Sequence, residues 1–275
     1  CRFLGDFAMG SFVTIRGQAP VVELVFDRAE RRNAITSPED CQQFAGALSE
    51  LDADTSVRCI ILTGAGSAFS AGGDIKAMKE RRGIGPQDQA LDTRLNYKRG
   101  VHRVIHALWH CETPIIAAIN GPAVGLGLDI ACLCDQRIAA DSARFGSTFV
   151  KLGIIPGDGG AWILPRIIGL ANASELILSG DLIDAQRALE IGLIKSAVPA
   201  EQLLEQAHEL AQRIAANPPR ATALAKRLLR EGQTGSLNGV LEMSAAFQAL
   251  LHETEDHAEA VDAMLEKRSA EFKGR

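Results

Sequence analysis

The stretch Ala117–Asp135 (AAINGPAVGLGLDIACLCD) constrains the fold of this chain more than any other. An apolar strand, Pro114–Ile119, runs into Asn120-Gly121-Pro122 and then a Gly125-Leu126-Gly127 turn. A short apolar helix follows, with Asp129 close to its start. Small residues let the backbone bend sharply and let another molecule come close to the main chain. The first amides of a helix lack internal partners and carry partial positive charge, so they favour an anion. Oriented amides beside a possible base are what enolate chemistry needs.

Upstream, Phe12–Arg16 and Val21–Phe26 alternate as strands around a Gln18-Ala19-Pro20 turn. A polar, basic run, Asp27–Thr36, leads to Ser37-Pro38-Glu39-Asp40, a helix start with Ser as N-cap and Pro at the first helical position. That helix is expected to reach about Leu51, and the β-branched run Val57–Thr63 reads as a buried strand. Gly64-Ala65-Gly66 opens like a dinucleotide loop. Phe69 occupies the third glycine position, however, and no helix begins at once, which argues against that site. A loop whose backbone approaches a ligand at Ala71-Gly72-Gly73 fits better, with a short helix from Asp74. Gly83–Pro86 breaks the pattern, and residues 88–111 carry one buried helical stripe. His102, His106 and His110 lie along one face, but no carboxylate or cysteine is spaced to complete a metal site.

Further on come strand Gln136–Ala140, Phe145-Gly146, a Gly157-Asp158-Gly159-Gly160 turn and a helix from about Ala161. Repeated strand–helix alternation points to an α/β core with crossover connections. Nearly everything from Glu201 is helical, and its apolar stripes need a partner surface. Asp158 reads either as an N-cap for the following helix or as a pocket acid, and Asp129 either as a first-turn acid or as a base. Asp135, at a strand start, is expected to bond locally.

Of the 275 residues, 47% are apolar and 23% charged, which suits a chain that buries a real core. A net charge of −5, with no basic stripe interleaved with aromatics, argues against nucleic acid as a partner. No uncharged apolar run is long enough to suggest a membrane span. The six cysteines show no paired C-x-x-C spacing, so reduced, buried thiols and a cytoplasmic setting are expected.

Four stretches, taken together and in order, resemble the crotonase, or enoyl-CoA hydratase/isomerase, superfamily. They are DRAERRNAIT (27–36), FSAGGDIKAM (69–78), the 117–135 stretch, and FGSTFVKLGIIPGDGGAWILPRIIG (145–169). The ending EKRSAEFKGR at 266–275 also resembles the family. The resemblance implies an α/β fold: a crotonase-like spiral core of repeated ββα units over 11–199, with a helical C-terminal trimerisation region over 200–275. Residues 1–10 are expected to be a disordered or tag-derived terminus. The implied substrate is an acyl-CoA thioester, with no separate cofactor because coenzyme A enters as part of the substrate. The implied assembly is a homotrimer or a dimer of trimers.

By the same resemblance the two oxyanion-hole amides fall on Ala71 and Leu126. The acyl-CoA surface falls on Arg28, Ala29, Arg31, Ala71, Gly72, Gly73, Asp74, Ile75, Lys76, Gly125, Leu126 and Phe149. The first carboxylate of two-glutamate hydratases falls on Asp129. The second falls on Phe149, which can neither take nor give a proton. Asp158 stands one residue beyond the aspartate of some isomerases. Phe272 and Lys273 are expected to reach a neighbouring subunit's adenine pocket. The expected reaction is isomerisation or hydration of an enoyl-CoA through a stabilised enolate, with catalytic Asp129 and Asp158. The alternatives are hydrolysis, ring cleavage, dehalogenation or decarboxylation on the same scaffold, or an inactive acyl-CoA-binding protein.

Overall fold

The computed structural model describes residues 11–275, so the expectation for residues 1–10 lies outside the described residues. Strands β1 (Val13–Gln18) and β2 (Val21–Phe26) pair antiparallel. Helix α1 (Pro38–Ala53) starts as its sequence demands: Ser37 Oγ accepts from the Asp40 amide and the Asp40 carboxylate accepts from the Ser37 amide. Next come β3 (Cys59–Gly64) and the short α2 (Ile75–Lys79).

The helical stripe over 88–111 is two helices, α3 (Ala90–Arg99) and α4 (Val101–His110). Gly100 divides them with φ −99° and ψ −95°, outside the helical region. The periodicity carries across the break, so the pattern alone hides it. A Cβ at Gly100 would stand 2.9 Å from the Asn96 carbonyl oxygen, so only glycine lets α4 turn and pack on α1.

The second half of the core contains β4 (Ile115–Ile119), β5 (Ala123–Val124), α5 (Leu126–Leu133), β6 (Gln136–Ala140) and β7 (Arg144–Gly146). A 3-10 turn, Thr148–Leu152, leads to α6 (Gly160–Ser179). Then follow β8 (Ile183–Asp184), α7 (Ala185–Glu190), β9 (Ser196–Val198) and α8 (Leu203–Ala215). The chain ends in α9 (Pro219–Gly232), α10 (Leu237–His252) and α11 (Glu255–Glu266).

The main sheet has order β1-β2-β3-β4-β6-β9, parallel from β2 onward, with Ile61 opposite Ile116 and Ala118 opposite Ile138. Because strand side chains alternate, Ile60, Leu62, Ile115 and Ala117 enter the large core on one face. Cys59, Ile61, Ile116 and Ala118 enter a smaller core on the other, against Ala207, Ala211 and Ala215 of α8. Alanines four apart let that helix lie close to the sheet. A second sheet, β5-β7-β8, holds the turns around the glycine-rich segment.

Helix α6 has the length and composition of a membrane span, but Gly169 (φ 75°, ψ 159°) breaks it and Pro165 and Arg166 interrupt it. Its Ile163, Leu164, Ile168 and Leu176 pack into the main core. Asp135 does more than bond locally. It accepts from the Ile115 amide and pairs with Lys226 (2.7 Å) and Arg230 (3.2 Å), tying α9 to the sheet. Among the described residues Cys41, Cys59, Cys111, Cys132 and Cys134 are free and buried.

Candidate active site

The loop after β3 is held by a buried asparagine. Asn33, in a left-handed conformation (φ 55°), donates from Nδ2 to the Ala65 and Ala68 carbonyls, and its Oδ1 accepts from the Arg28 amide. Ser70 Oγ donates to the Asn33 carbonyl, and the Ser70 amide donates to the Pro122 carbonyl. The Val124 amide returns a bond to the Ser70 carbonyl, so loop 64–73 and segment 122–127 lie side by side. Glycine permits that approach. A Cβ at Gly127 would sit 2.4 Å from the Ser70 carbonyl oxygen, and one at Gly72 (φ +82°) 2.5 Å from that of Val124.

The consequence falls on the two amides assigned to the oxyanion hole. Leu126 is the first residue of α5, a position whose N–H has no partner within the helix. The position a Cβ at Gly72 would take is 3.2 Å from that nitrogen, so the loop faces it. Ala71 is different. Its amide donates to the Arg32 carbonyl at 2.9 Å, and the Gly72 amide donates to Ser70 Oγ at 3.2 Å. The Gly73 amide has no acceptor among the described residues. The assignment of Ala71 is therefore corrected: its N–H is engaged in holding the loop, and Gly73 is the free donor beside Leu126.

Two aspartates lie behind these amides. Asp129, in the first turns of α5, is fully buried, and Asp158, just before α6, is 5% exposed. Asp129 Oδ2 accepts from the Gly160 amide at 3.1 Å. A Cβ at Gly160 would come within 2.4 Å of Asp129 Oδ1, so the start of α6 rests directly on this carboxylate. The other oxygen of Asp129, Oδ1, and Oδ1 of Asp158 are buried with no hydrogen-bond partner among the described residues. Burial, and after it the charge of Asp158, raises Asp129 well above the carboxylate range, while burial raises Asp158 to about 7. Asp158 is not an N-cap: Gly159 takes that position and no side chain caps the helix.

Phe149 is 8% exposed, and its ring edge, Cζ, lies 3.6 Å from where a Cβ on Gly125 would be. It thus covers the residue before Leu126 with hydrocarbon. On the other side of loop 157–159, a cavity of about 640 Å³ is lined by Arg94, Tyr97, Lys98, His102, Ile154 and Ile155. His102 Nε2 is 3.0 Å from the Gly157 carbonyl oxygen, which fixes this wall to the turn carrying Asp158. His110 Nδ1 likewise lies 2.8 Å from the His106 carbonyl oxygen, so the histidine ladder bonds to main chain.

The other assigned residues are spread along the rim. Arg28 makes a two-bond ion pair with Asp40 (2.8 and 2.9 Å), so its guanidinium is committed within the fold. Although burial opposes it, hydrogen bonds from Arg28 and Thr36 hold the Asp40 carboxyl below its usual range. Ala29 lies against the loop: its Cβ is 2.8 Å from the position of a Cβ at Gly66. Arg31 reaches Asp74 at 3.7 Å, and Asp74 caps α2 through the amides of Lys76 and Ala77. Ile75 and Lys76 stand exposed beside them. The Phe272 carbonyl accepts from Arg58 and the Lys273 amide donates to Asp256, so the main chain of this segment is bonded within its own subunit. Sequence reasoning placed Gly73 on the acyl-CoA surface without making it a donor, and missed Asn33, Tyr97 and Gly160. Gly160 stood inside a visible glycine-rich turn and Asn33 inside the run 27–36, whereas nothing near Tyr97 marked it.

Main-chain donors at Gly73 and Leu126 with two buried carboxylates, on a parallel sheet with a helical tail, are groups suited to holding an enolate. The sequence profile of the enoyl-CoA hydratase/isomerase family matches residues 16–275. The chain belongs to that family. It is 35% identical to 1,2-epoxyphenylacetyl-CoA isomerase of Escherichia coli (strain K12), over 97% of this chain and all of the relative. It is 36% identical to 2,3-dehydroadipyl-CoA hydratase of the same organism, over 96% of this chain and all of that one. Among solved structures, enoyl-CoA hydratase from Bacillus anthracis superimposes with a TM-score of 0.88 at 36% identity, covering 96% of this chain and 100% of that chain. The protein is an enzyme of the hydratase/isomerase type, and an acyl-CoA is its substrate class.

Proposed function

We propose that this enzyme isomerises an enoyl-CoA by moving one proton, with Asp129 and Asp158 as the carrier pair. The carrying observation is that both carboxyls are buried, each has an unpartnered oxygen, and one titrates near neutrality. An acid or base tuned near working pH combines the right protonation state with adequate driving force. The thioester oxygen is taken by the Gly73 and Leu126 amides. The ionised member of the pair removes a proton from the carbon beside the double bond, and the electron pair moves onto the carbonyl oxygen as the dienolate forms. The amides stabilise that oxygen, each by about 2.7–4 kcal/mol by analogy with other oxyanion holes. The protonated partner carboxyl delivers its proton to the other end of the conjugated system, the carbonyl re-forms, and the pair is left with one proton as before. Mass is conserved and no co-reactant is consumed.

Phe149 supports isomerisation over water addition, because a hydrocarbon ring beside Gly125 occupies the side where a second acid would hold water. Lys76 and Arg31, exposed beside the loop, suit the phosphates of coenzyme A, whereas Arg28 contributes through its main chain. A cytoplasmic enzyme assembled in threes completes the reading. Its test is a panel of 2-enoyl-, 3-enoyl- and dienoyl-CoA thioesters followed by mass and ultraviolet absorbance. In ordinary water isomerisation leaves mass unchanged, and in heavy water the product gains solvent deuterium. A product heavier by one water would make the enzyme a hydratase instead.

A further inference from the structure

The cavity beside Asp158 carries an uncompensated positive charge. Arg94 and Lys98 stand one turn apart on α3, both exposed at the cavity's rim. Neither has an ion-pair partner within 4.0 Å or makes a side-chain hydrogen bond among the described residues, and no acid lines the cavity. Of the other basic side chains near the site, Arg28 is tightly paired with Asp40, and Arg31, Arg81 and Arg82 make exposed surface pairs with Asp74, Asp88 and Glu80.

The rest of the lining is Tyr97, Ile154, Ile155 and Gly157 together with His102. The Tyr97 ring edge lies 3.7 Å from the position of a Cβ at Gly157, directly beside Asp158. Ile154 and Ile155 form the opposite wall, and Ile155 is 76% exposed, an apolar side chain facing the opening. The lining thus sets aromatic and aliphatic side chains, with His102 at the Gly157 carbonyl, beside two cations on α3. An acyl chain with the same polarity profile would match it: hydrocarbon near the thioester and an anion at its far end. Burial raises Asp158 to about 7, so at neutral pH it repels such an anion less than an ordinary carboxylate would.

Resting on the enoyl-CoA reading above, we propose that the preferred acyl group ends in a carboxylate, held between Arg94 and Lys98 at the mouth of this cavity. Charge-assisted hydrogen bonds to both side chains favour such an anion, and partial exposure at the rim reduces the gain. The same chemistry could also come from a phosphate of coenzyme A, so the test includes that arm.

The experiment uses saturated thioesters, which bind without reacting. Six- and eight-carbon acyl-CoAs are compared by titration calorimetry, each ended by a methyl, a carboxamide or a carboxylate. The expected result is carboxylate over methyl by at least about tenfold in affinity, with carboxamide near methyl, and the preference shrinking as salt rises. In the Arg94→Met, Lys98→Met double variant that ratio is expected to fall to about one, while affinity for free coenzyme A holds. A wild-type ratio of one or below overturns the proposal without recourse to any variant. So does an equal loss of affinity for free coenzyme A in the double variant, which would assign both cations to its phosphates. Because the probes do not react, absence of turnover on every enoyl-CoA would refute the reaction proposed above while this ratio is still read.

Discussion

Asp129 and Asp158 titrate in one buried neighbourhood, and that has consequences for both turnover and stability. The asparagine variant Asp129→Asn removes a proton carrier without changing shape, and a loss of at least about a hundredfold in turnover is expected from general acid–base contributions. Asp158→Asn is expected to cost a similar factor, because its carboxyl, near 7, is the member that changes charge at working pH. Full activity in both variants on the preferred substrate would remove the acid–base assignment. For stability the sign follows from proton counting. Folded Asp158 holds its proton up to about 7, whereas the unfolded chain releases it near 3.8. Between those values the native state binds more protons, so this contribution is complete below the unfolded value and is lost as pH rises through the folded one. The loss is on the order of 4 kcal/mol by pH 8, and the raised Asp129 acts in the same direction. Denaturant unfolding at pH 5 and pH 8 is expected to show the wild type losing stability across that interval, and Asp158→Asn losing distinctly less. At this scale the sequence spoke clearly of the aspartates and of Phe149, because each stood in a recognisable run. It showed Asn33 only as one residue of the run 27–36, because its work depends on carbonyls more than thirty residues away.

Whole elements carry the second group of consequences. The start of α1 was legible because Ser37, Pro38 and Asp40 form a capping set that needs no tertiary partner. The division of α3 from α4 was not, since Leu95, Val101, Ile105 and Leu108 keep one stripe across Gly100. Ala71 was misassigned for a related reason: which amide in a glycine-rich loop is free depends on where its neighbours' bonds go, here to Arg32 and Ser70. The N-terminus of α5 offers a clean test of the remaining donor. Proline is tolerated at the first helical position and lacks an N–H. Leu126→Pro is therefore expected to fold, by circular dichroism, yet to lose about a hundredfold to a thousandfold in kcat, whereas Leu126→Ala keeps its donor and loses far less. Equal losses in the two would mean that the amide is not the active feature. The seat of α6 is more brittle. A methyl at Gly160 would stand 2.4 Å from Asp129 Oδ1, so Gly160→Ala must displace either the helix or the carboxylate. Overpacking of this kind costs about 1–3 kcal/mol, to be read from the urea midpoint, and is expected to lower turnover with it.

At the scale of the whole molecule the unanswered surface is the helical tail. Lys226 and Arg230 anchor α9 to Asp135, so the tail's position on the core is fixed by buried charge. Beyond that anchor, α10 and α11 present Leu237, Leu241, Leu250, Val261, Met264 and Leu265 to solvent, Met264 at 81% and Leu265 at 78% exposure. Neither helix buries a large apolar side chain within the chain. Covering a residue of this size contributes about 1.5–3 kcal/mol, so leaving six uncovered is a cost that a second copy removes. Closed symmetric assembly is the ordinary way for identical chains to do that. The threefold number comes from the family resemblance and not from any feature of one subunit. Light scattering is therefore expected to give a native mass that is a multiple of three chains. A charge at the centre of the patch sharpens the test, because Leu250 touches the core of this subunit little, being 64% exposed. Leu250→Glu is expected to keep its helical circular dichroism while the mass falls toward one chain, since a carboxylate buried at an interface without a partner is strongly unfavourable. A wild-type chain that is a stable, active monomer would leave the apolar face of α10 and α11 without the role assigned to it.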